Sequence, residues 1–168
     1  MATYSYVITE PRIGMQQIED VSTTQNHPLG TIIKAKDPTY GEAEFIYLKG
    51  VTSGATGKWV TYDVDAGVCV LLAANAIGPV GIMMSDLDAA TDYGWVMISG
   101  WHPAAKCLTQ FADNGIVFCT STAGSVDDAS VAGDLVQNAK GGSATTANTF
   151  VAQFEIYRPY VNDRTANK

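Results

Sequence analysis

Two short stretches of this chain put large apolar residues on both sides of what reads as a β-strand. In GEAEFIYLKG (Gly41–Gly50), Glu44, Ile46 and Leu48 point one way while Phe45, Tyr47 and Lys49 point the other. In YGWVMISG (Tyr93–Gly100), Tyr93, Trp95 and Met97 oppose Val96 and Ile98. A strand with one solvated face alternates apolar with polar residues, so these two runs predict strands covered on both faces. One face is expected to pack a core. In so small a chain the second cover is expected to be another protein chain, which makes Phe45, Tyr47, Trp95 and Met97 candidate subunit-interface residues.

Around these runs the pattern predicts a succession of short strands. Ile33 and Ala35 alternate with Lys34 and Lys36, and DPTYG (Asp37–Gly41) supplies a turn. Further strands are predicted at Trp59–Val64, Val68–Leu72, Val80–Met84, Ala104–Phe111 and Ile116–Ser121, and at Phe150–Tyr157 with Phe150, Phe154 and Ile156 inward. Asn114-Gly115, a strong hairpin signal, is expected to join Ala104–Phe111 to Ile116–Ser121. Single helical turns are conceivable at Asp86–Thr91 and near Val131–Asn138, but no window of eleven residues sustains a helical period. The fold class is therefore all-β, an antiparallel barrel or sandwich with little helix.

The first thirty residues stand apart. Thr3–Ile8 alternates weakly and Pro11 interrupts it; Ile13, Met15, Ile18 and Val21 are scattered apolar positions, and STTQNHPLG (Ser22–Gly30) reads as loop. This segment predicts an extended N-terminal arm over residues 1–30, lying on its own body or on a neighbour, with an ordinary first strand plus a loop as the alternative, followed by one body with a C-terminal tail over residues 31–168.

Composition narrows the function. The 168 residues suffice for one domain that buries roughly 70% of its unfolded surface. Charged residues make up 16%, below the roughly 25% of an ordinary domain, as suits a surface that packs against copies of itself. The net charge is −7 and the ten Lys and Arg are scattered singly, which argues against nucleic acid as a partner. The longest apolar runs, such as Val68–Ala74, fall far short of a membrane span of about 20 residues. The N-terminus shows neither a basic region nor an apolar core of a secretory signal, so folding in a cytosol is expected. Cys69, Cys107 and Cys119, odd in number and widely spaced, are expected to be reduced, buried thiols.

Candidate chemistry is sparse. GVTSGATGKW (Gly50–Trp59) lacks the first glycine of a phosphate loop at Thr52 and the hydroxyl at Trp59. Asp86, Asp88 and Asp92 begin like a calcium loop, but Ala90 and Thr91 stand where the fifth and sixth ligand-loop positions need Asp/Asn and Gly. Asp127, Asp128 and Asp134 read as turn residues. His27 and His102 each precede a proline, with no nucleophile motif beside them. Trp59, Trp95, Trp101, Tyr40, Tyr47, Tyr62 and Tyr93 suit core and interface anchors better than a sugar platform. No enzymatic activity and no cofactor or metal is expected.

Four segments carry a resemblance. HPLGTIIKAKDPTYGEAEFIYLKG (His27–Gly50), LAANAIGP (Leu72–Pro79), YGWVMISG (Tyr93–Gly100) and TAGSVDDASVAG (Thr122–Gly133) resemble the head decoration, or capsid cement, proteins of tailed bacteriophages. The resemblance implies a homotrimer on the outside of the virion capsid, assembled in the host bacterial cytoplasm and stabilising the shell by bridging major capsid protein subunits. It also implies an N-terminal arm crossing the capsid protein, with Ile13, Met15, Ile18 and Val21 as arm anchors. Deleting residues 1–30 would then abolish capsid binding and leave the body folded. The alternative is another virion component, a tail or head-fibre protein that binds a host surface glycan.

Overall fold

The computed structural model describes residues 6–9 and 15–162. Within them the chain is all-β and forms no helix. The strands are β1 (Val7–Ile8), β2 (Ile32–Asp37), β3 (Gly41–Lys49), β4 (Trp59–Asp63), β5 (Val68–Leu71) and β6 (Ile77–Met83), followed by β7 (Tyr93–Lys106), β8 (Ile116–Cys119), β9 (Val126–Asp127), β10 (Leu135–Gly141) and β11 (Val151–Asn162). All pair antiparallel in one sheet of order β1-β2-β3-β7-β6-β11-β10-β8-β9, while β4 joins at β6 and carries β5 on its far side. The sheet does not close into a barrel; it wraps into a sandwich.

The β2–β3 hairpin shows how locally the sequence acts. The buried Asp37 turns its carboxylate back to accept hydrogen bonds from the amides of Thr39 (2.6 Å) and Tyr40 (2.9 Å). Gly41 then takes φ +82°, which a residue with a Cβ rarely adopts. The turn sets the register Ile33 opposite Phe45 and Ala35 opposite Ala43.

The sheet pivots on β7. Its first half pairs with β3 on one side and, through Val96 and Met97, with β6 on the other; its second half, Ser99–Lys106, pairs with β11. The end of β11 pairs in turn with the start of β6, Tyr160 facing Pro79 and Asn162 facing Ile77. Three strands thus pair mutually over different segments, and the sheet has to bend between them. Gly100 sits at the bend of β7 with φ +124°, and a Cβ there would lie 2.6 Å from the Cβ of Ala43.

The bend encloses a main core that draws on nearly every strand: Ile33, Phe45, Tyr47, Trp59, Ile82, Trp95, Met97, Phe111, Val117, Phe154 and Val161. Phe154 stands at its centre, edge-on to Trp59 (5.1 Å) and Phe111 (5.0 Å). A second core lies on the opposite side of β3 and β7. There Ile46, Leu48, Val96 and Ile98 meet Val60 and Cys69 of the β4–β5 hairpin, with Met83 and Leu87. Gly50 and Gly54 let the preceding loop close on the Leu87 carbonyl, leaving no room for a Cβ at either.

The two faces of Glu44–Lys49 and of Tyr93–Ser99 therefore divide as the alternation predicts, but the second cover is the chain's own β4–β5 hairpin. Phe45, Tyr47, Trp95 and Met97, expected at a subunit interface, have no exposed surface and belong to the main core. The expectation fails because it counted strands without foreseeing that β4 would pair with β6 and fold back over β3.

Four other expectations are also corrected. Residues 93–106 form one bent strand rather than parts of two, and 107–115 is loop. Asn114 makes its turn with φ +57°, yet β8 pairs with β9 and β10 instead of a hairpin partner across that turn. β10 occupies a stretch where a helical turn had been conceivable. Phe150 is exposed, because the strand begins only after it.

Phe45→Ala and Ile46→Ala, on opposite faces of one strand, are each expected to lower stability by about 2–5 kcal/mol in denaturant titrations. The two losses should be independent of protein concentration, since one chain supplies both covers.

Candidate interaction face and anchored N-terminal segment

The groups capable of chemistry are engaged within the fold. His102 is buried, and its Nδ1 accepts the Ala104 amide at 3.2 Å. Burial pushes its pKa down to about 3. Burial likewise pushes the thiols of Cys69, Cys107 and Cys119 up to about 12, and all three are free and buried. The Cys69 thiol donates to the Lys49 carbonyl at 3.0 Å.

The carboxylates behave as turn residues. Asp86 accepts from the amide (2.8 Å) and hydroxyl (2.9 Å) of Thr56, which holds its pKa below the usual range. Asp92 accepts from Ala89, Asp128 from Ala112, and the buried Asp134 from Asn75. Among the described residues no group of three or more His, Cys, Asp or Glu is arranged to hold a metal ion. In the phosphate-loop lookalike, Lys58 Nζ donates to the Ser53 carbonyl at 2.7 Å.

The arm anchors fall in different places. Ile13 lies outside the described residues. Met15 packs against the main core, Ile18 is buried within it at 1% exposure, and Val21 is exposed. Ile18 and Met15 thus contact the protein's own body, which corrects their assignment as anchors on a capsid.

Gln16 fixes this segment. Its side-chain amide donates to the carbonyls of Asp20 (2.8 Å) and Tyr93 (2.9 Å), and its Oε1 accepts from the Tyr47 hydroxyl (2.7 Å) and from Asn26 (3.0 Å). Its backbone carbonyl accepts from the Trp95 indole (3.0 Å), and its backbone amide donates to His27 Nε2 (3.1 Å). Ser22 adds a pair of backbone hydrogen bonds with Tyr93. Deleting residues 1–30 would strip Tyr47 and Trp95 of partners and uncover part of the core, so the truncated body is expected to be less stable than the full chain, a cost that the arm reading did not foresee.

The open surface lies elsewhere. The β4–β5 hairpin covers only the β3, β7 and β6 part of the outer side. Over the rest, the outward positions of β6, β11, β10 and β8 present Ile77, Tyr157, Tyr160, Leu135 and Ile116 to solvent, Tyr157 at 74% and Ile77 at 66% exposure. Pairing places them on one face: Ile77 opposite Asn162, Tyr160 opposite Gln137, and Ile116 opposite Lys140.

A bulge shapes this face. Gln137 faces Tyr160 but Ala139 faces Ile156, so β11 carries two extra residues there, with Asn138 at φ +59° and Arg158 at φ +45°. Beside it lies a shallow depression of about 270 Å³ lined by Asn138, Ala139, Lys140, Glu155, Ile156 and Tyr157. The charges on the face are mutually paired. Arg158 meets Glu44 at 2.8 Å and Lys140 meets Glu155 at 3.4 Å. Sequence reasoning missed Tyr160 because outwardness on β11 past Tyr157 depends on the bulge, which leaves no local signal beyond Arg158-Pro159 itself.

No family model, curated protein or solved structure matches this chain.

Two outcomes follow from the buried groups. A thiol-specific reagent should modify none of the three cysteines in the native protein and all of them after denaturation. His102 is neutral when folded but protonates in the unfolded chain below about pH 6.5, so it lowers stability as pH falls from there toward 3. His102→Asn, which retains an acceptor for Ala104, should show a shallower fall of Tm with pH over that range.

Proposed function

We propose that the protein is a structural virion component that binds the outside of a phage capsid and stabilises the shell by bridging major capsid protein subunits, acting as a homotrimer. The observation that carries the reading is the uneven covering of the sheet. One half of its outer side is sealed by the chain's own hairpin, while the other half leaves Ile77, Tyr157, Tyr160, Leu135 and Ile116 in solvent on a rigid strand framework. Large exposed apolar groups gathered on one face mark interaction sites, and Tyr is among the residues that most often anchor them.

The electrostatics support a protein partner. The chain carries a net charge of −7, yet the charged groups on this face neutralise one another in pairs. A neutral apolar patch can approach another protein surface without like-charge repulsion. The segments that resemble decoration proteins fall on the scaffold: His27–Gly50 spans β2 and β3, and Tyr93–Gly100 is the first half of β7. In this role a packaged genome presses the shell outward, and a trimer holding several subunits makes each weak contact count through effective concentration. The reading moves the capsid contact from residues 15–30, which anchor to the body, to the open face of β11 and its neighbours.

Tyr157→Glu combined with Tyr160→Glu tests this. The double variant is expected to fold with a Tm near that of the wild type and to lose at least about tenfold in co-sedimentation with capsids of the parent phage. Unchanged decoration would remove the face from the contact. The exposed Tyr157 and Tyr160 rings also favour a second reading, a virion protein that binds a host glycan. That reading expects glycan binding by the isolated protein and density at the tail or fibre instead of the shell.

A further inference from the structure

We propose that residues 15–30 form an acid-released strap: protonation of His27 breaks its hydrogen bond with Gln16 and frees the strap from the aromatic shelf of Tyr47, Tyr93 and Trp95.

The geometry turns on one nitrogen. The Gln16 amide donates to His27 Nε2 at 3.1 Å, so that nitrogen presents a lone pair and the ring proton sits on Nδ1. A proton added to Nε2 makes both partners donors. The contact then becomes repulsive, and the buried Gln16 amide loses its acceptor. The same residue holds Tyr47, Asn26, Tyr93 and Trp95, so the strap's side-chain contacts gather on Gln16, beside the Ser22–Tyr93 backbone pair and the bonds of the Asn26 and Gly30 amides to Tyr47.

The surroundings do not offset the charge. The imidazole lies edge-on to Tyr47 (5.0 Å) and tilted over Trp95 (5.5 Å). On the strap the ionisable groups are Glu19 and Asp20; on β3 they are Tyr47 and Lys49, on β7 Tyr93, on the 84–92 loop Asp86, Asp88 and Asp92, and on the β4–β5 turn, which packs on Leu29 and Gly30, Asp63 and Asp65. Lys49 itself stands 6.0 Å over the Tyr93 ring, a like charge on the shelf. Burial alone lowers the His27 pKa, with no carboxylate acting on it. A cation–π attraction to Trp95 would favour the protonated ring, but it gives the Gln16 amide no new acceptor.

The sign follows. With the docked pKa below that of the free ring, docking is fully stable above about pH 6.5 and weakens as pH falls through the docked value. Release uncovers Ile18, Tyr47 and Trp95, which are wholly or almost wholly buried while the strap is docked. The protein thereby gains an apolar surface in acid that it lacks near neutrality.

The test is hydrogen exchange of the full-length protein by NMR from pH 7 to 5, normalised for intrinsic rates. It follows the Trp95 indole proton and the Gln16 amide against the amides of β11. The strap's open fraction should rise by up to about tenfold per pH unit below 6.5, ahead of β11, and should stay flat in His27→Gln. A flat wild-type profile overturns the proposal, as does an unchanged rise in His27→Gln. Loss of strap and β11 protection together also overturns it, because acid would then act on the whole fold through groups such as His102. The wild-type comparison of strap with β11 decides the matter without the variant.

Discussion

A strand that is apolar on both faces has to be covered twice, and this requirement organises the molecule. β3 and the first half of β7 lie side by side, so their Phe45, Tyr47, Trp95 and Met97 demand one enclosing layer while Ile46, Leu48, Val96 and Ile98 demand another. Burying such side chains stabilises by roughly 1.5–3 kcal/mol each, which favours bringing a cover across. The chain answers with the wrapped sheet on one side and the β4–β5 hairpin on the other. The Gly50 and Gly54 contacts with Leu87, the β6 pairing to both β4 and β7, and the bend at Gly100 all serve that double enclosure.

How much of this could be read beforehand depends on how local the cause was. The division of faces along Glu44–Lys49 was legible because side chains alternate strictly on a strand. The Asp37–Gly41 turn was legible because its carboxylate and glycine act within five residues. β10 was not, since Asn138 interrupts the alternation that would have announced it and left the stretch near Val131–Asn138 open to a helical turn. Nor was the identity of the second cover, because a hairpin's fold-back is decided by pairing between Val60 and Gly81, and such pairing leaves no trace in either segment alone.

The site was less legible than the fold. Ile18 looked like an arm anchor because its neighbours are polar, yet those polar neighbours, above all Gln16, are what seat it. A glutamine is expected at a surface, and nothing in the sequence distinguishes one whose every polar atom finds an internal partner. The outward face of β11 was hidden for the opposite reason. Phe150 was assigned inward and is exposed because β11 starts only after it, while Tyr160 lies past the predicted strand and only the register and the bulge at Arg158 reveal it as outward.

The mutual pairing of β6, β7 and β11 has a consequence for how the molecule comes into being. β7 joins residues from positions 41–49, 77–83 and 151–157, so its two halves wait on partners that the ribosome delivers far apart in time. Until β11 has emerged, the second half of β7 carries an unfilled edge and the main core lacks Phe154. Folds dominated by such distant contacts form slowly, and unpaired edges invite association with other chains meanwhile. Completion of this fold is therefore tied to the emergence of β11, and the nascent intermediate, more than the finished fold, is where misassembly threatens.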